Sequence, residues 1–534
     1  MTDRLTIYDT TLRDGQQTQG VQFSAAEKRE IAGLLDDLGV DYVEGGWPGA
    51  NPTDSEFFET APPLRATLAA FGMTKRAGRS AANDDVLAAV LNAGTPAVCL
   101  VGKTHVKHVS EALGISKEEN LDNIRESVAH LVAQGRKAIF DAEHFFDGHA
   151  ADPAYARAAC VAALEAGARW VVLCDTNGGT MPDRIGAVVA ELIAAGLPGD
   201  RLGIHTHDDT GQAVAGSLAA IRAGARHVQG TLNGLGERCG NANLTTLIPT
   251  LLLKAPYADS LTTRIPPDAL TGLLRASRRL DDILNRVPRR EAPYVGASAF
   301  AHKAGLHASA VAKDPSLYEH VAPEAVGNAR IVPMSNQAGL SNLRARLAAA
   351  GLAGTDDQLR RILQEVKTRE DRGYTYDGAQ ASFELLARRI LGRLPDFFEV
   401  KRYRVTVERR KNKRDEMISL SEAVVVVKVD GEKRMSVSDS LESGADAGPV
   451  NALAKALSKD LGRFQAHIAD MALVDFRVRI MQGGTEAVTR VIIDHEDGQG
   501  RRWSTVGVSA NIVDASFEAL LDAIRWKLCT EAAT

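Results

Sequence analysis

Cysteine is scarce in this sequence, five residues in 534 (Cys99, Cys160, Cys174, Cys239 and Cys529), and no two stand in CxxC spacing. An odd, scattered set excludes a disulfide framework and predicts reduced, small core residues. Long apolar runs are missing as well. Nothing approaches the ~18 uninterrupted apolar residues of a membrane span, and the stretch from Met1 to Gln22 meets polar side chains within a few positions, without the apolar centre of a secretory leader. The chain is therefore expected in the cytoplasm. A one-sided charge is also lacking: the formal net charge is -5, which gives no purchase on nucleic acid. With 45% apolar and 25% charged residues, the composition is that of an average globular chain. The length exceeds what one hydrophobic core organises, so two or three domains are expected.

What is present, from Leu5 to about Leu253, is a repeat of short apolar runs and Ala- and Leu-rich stretches of helical period, the pattern of βα units. Eight strands are predicted: Leu5 to Asp9, Tyr42 to Gly45, Thr67 to Phe71, Ala97 to Val101, Ala138 to Glu143, Trp170 to Asp175, Leu202 to His207 and His227 to Leu232. Eight parallel strands alternating with helices over about 250 residues match a (β/α)8 TIM barrel, with an open doubly wound sheet as the alternative. From Pro256 to Arg393 the pattern turns mainly helical, interrupted by a Gly- and His-containing segment, Val295 to Ala312. From about Asp396 it switches to period-2 runs, with Ala423 to Val429 and Arg434 to Val437 flanking the hairpin-type turn Asp430-Gly431. A weak internal repeat shows here: VNALAKALSKDL after Gly448-Pro449 resembles IVDASFEALLDAI after Asn511, and Pro449 suits a helix start. The fold class is thus α/β: a TIM barrel in residues 1–270, helical linker subdomains in 271–395 and an α+β regulatory or dimerisation domain in 396–534. The basic run Lys401 to Arg414 reads as a solvated strand and turn.

The strongest chemical signal is H-T-H-D-D at 205–209. Side chains at i and i+2 of a strand point the same way, with Cα atoms roughly 6 to 7 Å apart, so two imidazoles can grip one metal. His205 and His207 fall at the C-terminal end of the seventh strand, where barrel active sites lie. A hydrogen-bonded pair of loop histidines is the plainer reading. The end of the first strand supplies Arg13-Asp14, and Asp14 would complete a two-His, one-carboxylate set. Other strand ends carry Glu44, Glu143, Thr176 and Asn233, polar groups converging on one face, although Thr176 and Asn233 taken singly read as caps or loop residues. The segment GLGERCGNAN at 234–243 is glycine-rich and would let backbone approach a carboxylate or phosphate near the following helix. Asn241 within it reads equally as a further metal ligand or a turn-stabilising asparagine.

DTTLRDGQQ (9–17), HTHDDTG (205–211) and GERCGNAN (236–243) resemble the alpha-isopropylmalate, homocitrate and citramalate synthase family of the DRE-TIM metallolyase superfamily. The resemblance continues through AFAHKAGLHASA (299–310) and YEHVAPEAVGNAR (318–330), and EGGWPGANPTD (44–54) with DAEHFFDG (141–148) is most similar to the citramalate branch. It implies an acyltransferase that condenses acetyl-CoA with a 2-oxo acid, pyruvate in that branch, by Claisen chemistry followed by thioester hydrolysis. Isopropylmalate or homocitrate synthesis is the near alternative, a carbon–carbon lyase of the same superfamily or a non-catalytic sensor the more distant one.

The resemblance further implies that Asp14, His205 and His207 bind a divalent metal (Mn, Mg or Zn), with Asn241 as ligand or second-sphere partner. Arg13 and Thr176 would hold the oxo acid, with Glu44 beside them. Glu143 would act near proton removal from the acetyl methyl. His307 and Tyr318 would be acid–base candidates from the linker of a neighbouring subunit, with His302 as the weaker alternative to His307. For the C-terminal domain it implies dimerisation and an amino-acid effector, isoleucine being the logical one.

Overall fold

The computed structural model describes residues 3–302, 305–311, 313–331, 340–411, 415, 417–441, 448–481 and 488–531. Residues 303 and 304 of the 299–310 motif, and 412–414 of the basic run, lie outside the described residues.

Eight parallel strands close into a barrel: β1 (Thr6–Asp9), β2 (Tyr42–Gly46), β3 (Thr67–Met73), β4 (Ala97–Lys103), β5 (Lys137–Glu143), β6 (Trp170–Asp175), β7 (Leu202–Thr206) and β8 (His227–Gly230). They are the eight strands expected from the apolar runs. Closure is made by β1 pairing with β8, Thr6 opposite His227 and Asp9 opposite Gly230. Helix α1 (Ala25–Leu38) shows why the connecting segments are helical. Ser24 accepts from the Glu27 backbone N–H while the Glu27 carboxylate takes the Ser24 N–H, and Gly39 ends the helix at φ 89°, a reciprocal cap followed by a left-handed stop. Its buried face, Ile31, Leu35 and Leu38, joins the large core between barrel and helices. A second cluster fills the barrel itself, with Tyr8, Phe71, Cys99, Ile139, Trp170 and Val172.

The chain divides into two compact units, Met1–Phe300 with Val321–Ala329, and Ala301–His320 with Arg330–Thr534. The first extends past the expected barrel boundary at residue 270, because α2 (Leu273–Ile283) adds Leu273, Ala276 and Leu280 to the barrel's outer core.

In the second unit, helices α3 (Asp356–Asp371) and α4 (Gln380–Ile390) share a core through Leu359, Ile362, Val366 and Phe383. An α+β domain follows in which one pattern occurs twice. β9 (Glu399–Lys411), β10 (Met417–Val429) and β11 (Glu432–Leu441) form an antiparallel sheet followed by α5 (Pro449–Ser458). β12 (Ala472–Ile480), β13 (Thr489–Glu496) and β14 (Arg502–Ser509) form another, followed by α6 (Ile512–Glu531). The short sequence repeat around residues 450 and 512 is the helical end of this duplication. The β10–β11 turn has Asp430 at φ 51° and Gly431 at φ 90°, the double left-handed turn that the Asp-Gly pair favours.

Cys99, Cys160, Cys174 and Cys529 are buried free thiols and Cys239 is exposed. Among the described residues no helix is long and apolar enough to cross a membrane.

One buried group makes the barrel acid-sensitive. His227 is completely buried among the rings of Tyr8, Tyr42 and Trp170, and burial holds its pKa down to about 3. Below the ordinary value of about 6.5 the unfolded chain takes up a proton that the native barrel refuses. Stability is therefore complete above that pH and falls as the pH drops toward the folded value. Stability should be about 2 kcal/mol lower at pH 5 than at pH 7.5 on this account. Denaturant melts of the wild type and His227→Leu at the two pH values check it: the variant should lose most of that pH difference.

Candidate active site

The polar strand ends meet at the C-terminal mouth of the barrel. β1 ends in a tight turn in which Asp9 accepts from the Thr11 backbone N–H and hydroxyl, both at 2.8 Å, and this turn presents Arg13 and Asp14. Burial pushes the Asp9 carboxyl up to about 7, against the pull of those Thr11 hydrogen bonds. His205 is in β7, and His207 lies one step beyond the strand in an antiparallel bridge to Asn241. The glycine-rich loop is what makes that bridge possible. A Cβ on Gly236, at φ 155°, would stand 2.1 Å from Asn241 Nδ2, and one on Gly240, at φ 98°, would stand 2.0 Å from the Gly234 carbonyl. Its glycines thus serve the approach of Asn241, and the helix Leu244–Leu253 that follows is capped by the Asn243 side chain, which differs from the anion cradle expected there.

Asp14, His205 and His207 are buried, and one ligand atom of each lies within 4.8 Å of the others. The Nε2 atoms of the two histidines are 3.3 Å apart, and each faces Asp14 Oδ2, at 3.5 Å from His205 and 3.9 Å from His207. A chain behind His205 fixes its tautomer. Gln229 Nε2 donates to Asp141 Oδ1 at 3.0 Å, which leaves Gln229 Oε1 to accept from His205 Nδ1 at 2.8 Å. The Nε2 of His205 is then the bare nitrogen. Burial, reinforced by His205, lowers the His207 pKa to about 4, so at neutral pH this imidazole is uncharged.

His205 Nε2, His207 Nε2 and Asp14 Oδ2 thus converge within 3.9 Å of one another. Asn241 donates to Asp14 Oδ1 at 3.0 Å and to the Leu235 carbonyl at 3.1 Å, while its Oδ1 and His207 Nδ1 are buried without a hydrogen-bond partner. Two histidines, one carboxylate and a spare amide oxygen are the donor set of a first-row divalent cation or magnesium, and these residues fit one.

Around this set runs an ion-pair network. Arg13 donates from Nε to Glu44 Oε2 at 2.7 Å and from Nη1 to Asp14 Oδ2 at 3.1 Å, with its guanidinium carbon 3.9 Å above the Phe71 ring. Burial alone would raise the Asp14 carboxyl, but Arg13, both histidines and the Asn241 hydrogen bond outweigh it and bring the pKa down to about 2. Glu44 is fully buried and gives its oxygens to the Tyr8 hydroxyl at 2.6 Å, the Thr10 hydroxyl and Arg13. It stands behind Arg13 and aims it.

Glu143, at the end of β5, pairs with Lys103 at the end of β4. The next residue, His144, has left-handed backbone at φ 55°. Its N–H donates to Thr176 Oγ1 at 2.8 Å and its ring lies 4.1 Å from that of His108. Asn233 turns away from this cluster, donating to the Ser277 carbonyl at 2.9 Å and to Asp281 at 3.1 Å: it anchors α2. His307 and Tyr318 belong to the second unit, where their rings stack at 4.3 Å and both are exposed. His302 contacts Glu319 at 3.1 Å.

Sequence reasoning missed Gln229, Asp141 and Phe71. The available signal was polarity out of place, an Asp in the run AIFDAE and a Gln in HVQG, both buried inside the barrel. Since outer partners of metal-ligating histidines are typically worth 10- to 100-fold in affinity, Gln229→Leu should weaken Mn²⁺ binding by about that factor in calorimetric titration, and His207→Ala should abolish it.

Comparison with known proteins agrees with the parts of the chain taken separately. The HMGL-like family model matches residues 4–265, the homocitrate synthase post-HMGL domain-like model 294–374 and the LeuA allosteric (dimerisation) domain model 377–528. The curated (R)-citramalate synthase of Synechocystis sp. is 45% identical over 98% of this chain and 96% of its own length. That of Streptomyces coelicolor is 45% identical over 98% and 97%, and that of Aquifex aeolicus 43% over 99% and 98%. With the barrel, the linker and the C-terminal domain all matched end to end, the chain belongs to the (R)-citramalate synthase family.

Proposed function

We propose that the barrel mouth condenses acetyl-CoA with pyruvate and releases (R)-citramalate and CoA, the acyl-transfer step that commits carbon to isoleucine. The observation that carries this reading is the crowding on Asp14 Oδ2, which faces one guanidinium and two imidazole Nε2 atoms within 3.9 Å. A 2-oxo acid docking there meets an obligate cation beside the metal ligands, as addition to a ketone requires.

The charges support the same reading. The carboxylates around the metal-ligand set, Asp14 and Glu44 among them, outnumber Arg13, so a divalent cation is favoured in a site of low dielectric. Asp14, His205 and His207 would hold the cation, which would supply Lewis-acid polarisation of the keto group.

The chain's own residues do the rest. Arg13 donates to the keto oxygen and strengthens that bond as negative charge develops on it. The Thr176 hydroxyl, which accepts from the His144 N–H, retains its proton to donate to the substrate carboxylate. Glu143 takes the proton from the acetyl methyl group, Lys103 holding the carboxylate in place. The carbanion carbon bonds to the keto carbon, the keto oxygen takes up a proton, and water then cleaves the thioester, leaving citramalate as its dicarboxylate and CoA as the thiol. His307 and Tyr318 of a neighbouring subunit are proposed as further acid–base candidates for these proton transfers, their rings stacked and exposed. The C-terminal domain is proposed to bind isoleucine as feedback effector.

Thiol release from acetyl-CoA by Mn²⁺-supplemented protein, with pyruvate, 2-oxoisovalerate and 2-oxoglutarate in parallel, tests the reading. Preference for pyruvate is expected, with kcat reduced by about 10²- to 10³-fold in Arg13→Ala. Preference for another oxo acid would move the enzyme to a sister pathway, and silence with all of them would end the synthase proposal.

A further inference from the structure

Lys28 does not behave as a helix-surface lysine. It sits in α1 with its side chain completely buried, and its ammonium donates to the Leu12 carbonyl at 2.8 Å, to the Gly45 carbonyl at 3.1 Å and to Asp54. The two carbonyls belong to different strand ends. Leu12 immediately precedes Arg13, and Gly45 immediately follows Glu44, so one ammonium grips the backbone on both sides of the Arg13–Glu44 ion pair.

Asp54 extends the grip. Its other carboxylate oxygen accepts from the Trp47 N–H at 2.8 Å. The Trp47 indole meets the edge of Phe71 at 5.3 Å, and Phe71 is the ring beneath the Arg13 guanidinium. The sequence makes room for this arrangement. A Cβ on Gly46, at φ 141°, would stand 2.5 Å from Asp54 Cγ, and one on Gly45 2.4 Å from the Phe57 ring. Gly46 thus makes room for Asp54 and Gly45 for the Phe57 ring of the same helix, a close approach that ion-pair stabilisation of a surface helix would not need.

We propose that Lys28 is a positioning residue, a buried ammonium clamp that sets the guanidinium of Arg13 by holding the β1 and β2 loops on either side of the Arg13–Glu44 pair. The proposal rests on the reading of Arg13 given above only for its kinetic consequence; the clamp itself is a claim about geometry.

Structural and positioning roles separate because removing one member of a buried charge pair strands the other, whereas removing both restores charge balance. Lys28→Met should lower Tm markedly. Lys28→Met/Asp54→Asn should recover most of that Tm yet keep kcat with pyruvate about 10- to 100-fold down, since the carbonyls of Leu12 and Gly45 are still released. In an Arg13→Ala background the same double change should cost kcat little further, because its effect runs through Arg13. An equal fold-loss in both backgrounds, or wild-type kcat in the refolded double variant, would overturn the clamp. Should the wild type show no condensation at all, the functional reading fails separately. The clamp is then judged by a crystal structure of the double variant, where an undisturbed Arg13–Glu44 contact and unmoved 12–13 and 44–45 backbone would refute it.

Discussion

Everything at the barrel mouth depends on keeping the Asp14 carboxylate ionised in a place where burial favours its protonated form. Arg13 beside it and the Asn241 amide behind it oppose desolvation, and the two imidazoles in front add to this where they are protonated. Each of these partners is in turn held by something else: Arg13 by Glu44 and Phe71, His205 by Gln229, and Asn241 by a loop whose glycines permit its approach. A polar network of this kind stiffens when every member is satisfied. The atoms left unsatisfied, Asn241 Oδ1 and His207 Nδ1, stand out against that background, and they belong to two of the residues singled out as metal ligands.

The sequence made the barrel and the His205–His207 pair legible because both signals are local. Strand period, helix caps and the i, i+2 geometry of HTH each involve neighbours in the chain. The supporting contacts are not local. Gln229 and Asp141 are 88 positions apart, and only the closed barrel makes them partners, so neither could be told from a misplaced core polar residue. Glu44 looked like a substrate contact because it ends a strand; its orientation behind Arg13 depends on Tyr8 and Thr10 across the barrel interior. Asn233 misled for the same reason in reverse, since a strand-end position says nothing about a backbone at φ 58° that turns the side chain toward α2. The glycine loop invited comparison with anion cradles, and only the path of the chain showed its glycines to be spent on one asparagine.

Two buried lysines show how differently one chemical group is used. Lys527 faces carboxylates, with Asp497 and Glu531 at 3.0 Å and Asp470 at 3.2 Å, and ties α6 to the segments on either side of β12 and β13 by charge. Lys28 has one carboxylate and two carbonyls, and so it fixes backbone where Lys527 neutralises side chains. In the first half Lys455 on α5 is exposed, so among the described residues the two halves of the C-terminal domain are alike in topology and unlike in where they place a helix lysine.

The hydrogen bond from Asn241 to Asp14 spans 227 positions, joining the loop after the last barrel strand to the loop after the first. On the ribosome, the amino-terminal carboxylate emerges long before the imidazoles, and the asparagine last of all. No partial barrel carries the whole ligand set, and closure of so non-local a contact comes late in folding. Assembly of this cluster is thereby tied to completion of the barrel, an order of events imposed by topology before affinity has any say.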